Sequence, residues 1–203
     1  MMSSIWHVVL AGLLVACLAS FKWGMERFFA RPVDARPEGL KLLSICGSGF
    51  AVLHLAAIVM TSYIPSTRAL IAASLYGTGL ALFWWAIRSN RAHPLSAVFS
   101  RDLPEHLMDR GPYRFVRHPF YCSYLLTWIA GFVGTGQIWL LPTAAVMFAV
   151  YLRAAHLEEK KFTQSSLAVD YERYRSRTGL FLPNPIKLFG AQDSASRYQG
   201  ECG

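Results

Sequence analysis

Four stretches of this chain contain no Asp, Glu, Lys or Arg: Met1–Phe21, Leu42–Thr67, Ala69–Ile87 and His118–Leu152. Each is at least about as long as the ~20 residues a helix needs to cross ~30 Å of hydrocarbon. With 54% of its 203 residues hydrophobic and only 16% charged, the chain must turn much of its apolar surface to lipid. The last stretch is 35 residues long. At ~1.5 Å per residue it would make a helix of roughly 52 Å, too long for one crossing. It must fold back, and Gly134-Thr135-Gly136-Gln137 supplies the turn. The expectation is a short helix over about residues 119 to 133 and a longer one over about 137 to 161.

The predicted fold is therefore all-α and polytopic, with five transmembrane helices of which the fourth and fifth form a hairpin. Charge sets the orientation, because Lys and Arg near span ends stay on the cytoplasmic side. Nineteen of the twenty basic residues fall after the first predicted helix, after the third, or in the C-terminal part, leaving Arg68 alone on the opposite side. This places the amino terminus outside and the carboxyl terminus in the cytoplasm. The net charge of +8 reads as topology and attraction to anionic membrane lipid, not as nucleic-acid binding. Leu14-Val15-Ala16-Cys17 has the form of a lipoprotein cleavage box, but no cation precedes it and several spans follow. Cys17, Cys46, Cys122 and Cys202 have neither metal-ligand nor redox spacing.

Three parts follow from this organisation: residues 1–68 with the first two spans, a core at 69–190, and a disordered tail at 191–203. Gly47-Ser48-Gly49 in helix 2 and Ala73, Gly77 and Gly79 in helix 3 are expected to let helices approach closely. Ser89 to Gly111 is a long polar loop, of a length common in lids and binding elements. A short interfacial helix is expected over residues 165 to 177, anchored by Tyr171 and Tyr174.

The topology brings three polar clusters, distant in sequence, to one depth. They are Arg88-Ser89-Asn90-Arg91, the run from Tyr113 to Tyr121, and Arg153 to Glu159. In Arg117-His118-Pro119-Phe120-Tyr121, proline fits the first helical turn, so His118 stands at a helix start beside unpaired amides and the positive dipole end. That arrangement binds anions. Arg117 merely reaching lipid phosphate is the plainer alternative. Glu158-Glu159 ends the last span; neighbours on a helix point about 100° apart, so one carboxylate at most is expected to face inward. A carboxylate beside an anion-binding helix start suits an amino-acid-like zwitterion, and a solvated charge cluster is again the plainer reading.

The run Gly111-Pro112-Tyr113-Arg114-Phe115-Val116-Arg117-His118-Pro119-Phe120-Tyr121, then Glu158-Glu159, Tyr171-Glu172-Arg173-Tyr174 and Arg177-Thr178-Gly179-Leu180, resembles the isoprenylcysteine carboxyl methyltransferase family and its prokaryotic relatives. The related phospholipid methyltransferases share the Arg-His-Pro and Glu-Glu elements, and Gly77-Thr78-Gly79 is similar to a Gly-x-Gly element of theirs. The resemblance covers roughly residues 70 to 186. It implies S-adenosylmethionine as cofactor and a lipophilic or lipid-modified acceptor entering from the membrane. On the matching positions it implies that Arg117, His118 and Tyr121 hold the methionine end, Glu158 or Glu159 its ammonium, and Tyr113 the adenosine. Arg153 and Arg177 are candidates to steer an acceptor carboxylate, with Glu159 also placed among the catalytic groups. Two positions depart from the pattern, Ser123 where relatives commonly have Gly, and Leu167-Ala168 in place of Phe-Gly.

The implied activity is methyl transfer to a lipophilic acceptor at the cytoplasmic face, with carboxylate O-methylation favoured because a carboxylate is already ionised and needs no base. A sterol-type reductase using NADPH also shows Arg-His-Pro-x-Tyr, but its phosphates would sit awkwardly beside Glu158-Glu159. A non-catalytic membrane subunit is the third reading.

Overall fold

The computed structural model describes residues 2–29, 38–90, 103–104 and 106–184. Its helices are α1 (Met2–Phe28), α2 (Glu38–Met60), α3 (Ser66–Ser89), α4 (Pro119–Thr135), α5 (Leu141–Thr163) and α6 (Ala168–Arg177), with single 3-10 turns at Gly111–Arg114 and Ile138–Leu140. The all-α expectation holds: among the described residues the β-type contact is confined to bridges, one of them pairing Val116 with Gly179. The predicted tail and most of the Ser89–Gly111 loop, including His93-Pro94, lie outside the described residues.

Ile5–Phe28, Leu43–Met60, Ser66–Ser89 and Ile138–Thr163 are long and apolar enough to cross a membrane. The fifth expected span, α4, has 17 residues, or about 26 Å of helix. It packs most extensively along α3, which also meets α1, while α2 and α5 flank α4. The 35-residue stretch does turn back where expected. Gly136 adopts φ 68°, a left-handed cap that L side chains disfavour, and its amide donates to the Phe132 carbonyl at 2.7 Å.

Two apolar clusters hold the bundle. Leu10, Leu14, Phe21, Ile58, Tyr76, Phe83 and Ile87 join α1, α2 and α3, while Tyr121, Trp128, Met147, Tyr151, Ala154 and Ala155 join α4 to α5. The small residues act differently from expectation. Gly47, Gly49 and Gly77 face open space, because their helix faces turn away from the bundle. Gly79 does pack: a Cβ there would stand 3.0 Å from the Ser123 carbonyl. Ser123, the departure from the family pattern, is fully buried at this contact and donates to the Phe120 carbonyl at 2.7 Å. Gly131 on α4 also sits at a close approach, where a Cβ would meet Nδ1 of buried His54. His54 Nε2 in turn lies 2.8 Å from Thr143 Oγ1, tying α2 to α5 behind α4.

Substitution separates the two kinds of glycine. Gly131→Val should cost about 1–3 kcal/mol through overpacking, whereas Gly77→Ala should be neutral or gain up to ~1 kcal/mol from helix propensity. Thermal unfolding of the detergent-solubilised protein measures both, and equal melting temperatures for the two variants would contradict this packing.

Candidate active site

The site is assembled where the chain enters α4. The chain approaches through the 3-10 turn Gly111–Arg114 and the residues after it, and Pro119 opens the helix with His118 as its N-terminal boundary residue. The segment after α6 runs back beside this approach. The Arg117 amide donates to the Gly179 carbonyl at 2.8 Å, His118 to Leu180 at 3.3 Å, and Gly179 to Phe115 at 3.2 Å. These bonds fix the backbone from which Arg117 and His118 project.

Arg117 Nε donates to Glu159 Oε1 at 2.6 Å, and its Nη1 donates to the Thr178 carbonyl at 2.6 Å and to Arg175 at 3.4 Å. One guanidinium thus joins α5 to the carbonyl end of α6, where a helix leaves acceptors unpaired and favours positive charge. His118 stands between both carboxylates, with Nδ1 3.5 Å from Glu158 Oε2 and Nε2 3.4 Å from Glu159 Oε1. The Tyr121 hydroxyl donates to Glu158 Oε1 at 2.6 Å. The expectation that only one carboxylate faces inward is corrected. Although their Cα–Cβ bonds diverge, both side chains are long enough to converge on His118, Glu159 buried and Glu158 about one-third exposed at 30%.

Burial opposes a positive charge on His118, but the two carboxylates outweigh it and hold the imidazolium to higher pH than in an ordinary histidine. The four groups then carry compensating charges, Arg117 and His118 against Glu158 and Glu159. Tyr171 is buried beside Glu159 without a well-aligned hydrogen bond for its hydroxyl, which burial and that carboxylate hold in the protonated form. Next to this polar group lies an aromatic wall. Tyr121 stacks on His118 at 5.5 Å and on Tyr151 at 5.3 Å, and Phe181 meets Tyr121 edge-on at 6.3 Å.

The remaining predicted residues fall elsewhere. Tyr113 is buried as a latch: its hydroxyl accepts from Asn90 Nδ2 at 2.9 Å, and its carbonyl accepts from the Tyr174 hydroxyl at 2.8 Å. Burial raises the acidity range of both phenols well above normal. The first polar cluster therefore meets the second through Asn90. Arg177 pairs with Asp109 at 3.2 Å on the exposed rim. Arg153 is exposed on the outward face of α5, about 120° around the helix from Glu159, and does not join the cluster. The contributions of Tyr171 and of the Thr178 carbonyl were not separable in sequence, since an aromatic anchor and a backbone acceptor leave no distinct signal.

A bundle of apolar helices with two carboxylates, a guanidinium, an imidazole and a phenol gathered at one end of α4 and α5 defines a multi-pass membrane protein with a charged polar centre. The sequence model of the phospholipid methyltransferase family matches residues 67–168, from the first turn of α3 to the start of α6. The chain belongs to this family, and methyl transfer is the class of chemistry it carries. The matched span contains Tyr113, Arg117, His118, Tyr121, Arg153, Glu158 and Glu159, while Tyr171, Arg177 and Thr178 lie beyond it. No curated protein matches the chain.

The His118 environment has a pH signature. A folded-state pKa raised above the ordinary value of 6.5 gives stability that is fully present below that value and lost as pH rises through the folded pKa. His118→Gln should therefore lower the melting temperature more at about pH 6 than at about pH 9. Melting curves of both proteins across that range test this, and a gap that widens with pH would refute it.

Proposed function

We propose that this protein transfers a methyl group from S-adenosylmethionine to a lipophilic acceptor, at the polar centre formed by Arg117, His118, Tyr121, Glu158 and Glu159. The observation that carries the reading is the convergence of both carboxylates, Arg117 and His118 at the start of α4. This donor set fits the amino-acid end of the cofactor, with Glu158 or Glu159 toward its ammonium and Arg117, His118 and the α4 amides toward its carboxylate. The aromatic wall of Tyr121, Tyr151 and Phe181 suits a sulfonium, since ring faces attract cations. When bound, the cofactor supplies an electrophilic methyl on a good, neutral leaving group. The protein's part is then to position the acceptor, exclude water and handle its proton. A nicotinamide dinucleotide fits less well, because its phosphates would face two carboxylates.

The acceptor follows from which charges reach the centre. Arg153 and Arg177, named for steering a carboxylate, stand outside it, the one on the outer face of α5 and the other on Asp109. Glu158 stands within it, partly exposed. We therefore favour a lipophilic amine, which must lose a proton before attack, over the carboxylate expected from sequence. The centre faces the cytoplasm by the distribution of Lys and Arg, with five spans and the amino terminus outside. Residues 69–190 form the methyltransferase core in this scheme, and Tyr113 acts on the cofactor by holding the approach to α4 in place.

Calorimetry of the purified protein in detergent should show binding of S-adenosylhomocysteine and none of NADPH. His118→Ala and Glu159→Gln should each weaken that binding about ten- to hundredfold, the weight of one or two charge-assisted hydrogen bonds. Glutamine is preferred to alanine at 159 because it leaves Arg117 a hydrogen-bond acceptor; unchanged affinity in both variants would refute the site. Glu158→Gln should lower methyl incorporation from labelled cofactor into amine-bearing membrane lipid about 10²- to 10⁴-fold, the usual weight of proton transfer. Label found only in base-labile esters would instead establish the carboxylate acceptor.

A further inference from the structure

The displacement of Arg153 from the centre leaves a second feature. Ala149, Leu152, Arg153, His156, Leu157 and Lys160 line an open groove of about 400 Å³ on the outward face of α5. Their spacing of three and four residues puts them in one continuous stripe along the helix. The stripe is graded. Toward the middle of the span it is apolar, with Val146 43% exposed on the same helix; toward the C-terminal end it presents a guanidinium, an imidazole and an ammonium between Arg153 and Lys160, a rise of about 10 Å. Among the described residues no carboxylate forms an ion pair with Arg153 or Lys160, whereas Arg173 and Arg175 on α6 are paired with Asp170 and Glu172. Glu158 and Glu159, the carboxylates nearest in sequence, point the other way, to His118 and Arg117.

We propose that this groove is a binding site for an anionic membrane phospholipid, its phosphate held by Arg153 and Lys160 with His156 as a further donor, and its acyl chain laid along Leu152 and Ala149. The charge complementarity selects the occupant. A soluble phosphate would satisfy the cations but not the apolar half of the groove, and a neutral lipid would cover the apolar half but leave two cations unpaired. A phospholipid meets both along one axis, since its phosphate and chains are stacked in the same order as the groove's cations and apolar walls. This site is separate from the methyl-transfer centre and does not depend on that reading.

Native mass spectrometry of the full-length protein in detergent, titrated with phosphatidylglycerol, tests the site. The unmodified protein should retain one lipid that Arg153→Ala/Lys160→Ala loses with roughly ten- to thirtyfold weaker affinity, the weight of two interfacial cations. Arg153→Lys/Lys160→Arg should restore retention, and Arg173→Ala/Arg175→Ala should leave it unchanged. Melting curves confirm that each variant is folded; should the double alanine variant unfold, Arg153→Gln/Lys160→Gln replaces it with the same expected loss. Equal retention by the charge-deleted and unmodified proteins would overturn the proposal. So would displacement of the lipid by an equal concentration of glycerol phosphate, which would make this a site for soluble phosphate. Appearance of a dimer lost on the same substitutions, with no lipid retained, would make the groove a contact between copies of the chain.

Discussion

The structure around the polar centre depends on where Arg117 spends its guanidinium. It reaches Glu159 on α5 and the carbonyls that end α6, so three elements separated by tens of residues meet on one side chain. The pair is nearly buried, with side-chain exposures of 10% and 11%. Losing one partner would strand the other charge, which for buried pairs costs about 3–5 kcal/mol. The backbone bonds from residues 115–118 to 179–180 work in the same direction, holding the return of the chain after α6 against the start of α4. Without α6 and the segment after it, Arg117 would lose both its carbonyl partners and its backbone brace.

This explains why a site built from residues of the matched family region also draws on residues outside it. Tyr171 closes one side of Glu159, Tyr174 pins the Tyr113 carbonyl, and Phe181 completes the aromatic wall. Burial of these rings against α4 and α5 makes a water-poor edge to a charged cluster. In such surroundings electrostatic interactions gain strength and unpaired polar groups become costly. A charge-compensated quartet satisfies that constraint.

Much of the architecture was legible in the chain itself. The charge-free stretches set helix number and approximate bounds, the Gly134–Gln137 turn divided the longest of them, and Pro119 marked the start of α4 to the residue. Meeting of the Arg117-His118 run with Glu158-Glu159 followed from topology, because helix ends on one side of a membrane share a depth. Close packing was read less well. The glycines on α2 and Gly77 point to open space, while Gly131 and Gly79 on other helix faces meet neighbouring helices, since small residues show that helices can approach but not which faces do.

The sequence by itself determined what kind of residue could lie where along the membrane normal: apolar runs in lipid, cations and carboxylates at the ends, a proline-started helix presenting a histidine. That is a one-dimensional ordering, and hydropathy and charge suffice to fix it. Rotation about each helix axis is a different matter. Only the tertiary structure decided that Glu158 and Glu159 both turn to His118, that Arg153 turns to the outer groove, and that Arg177 goes to Asp109. Those choices depend on side-chain length and on which faces of α4, α5 and α6 pack together, quantities that emerge only when the helices are brought into contact.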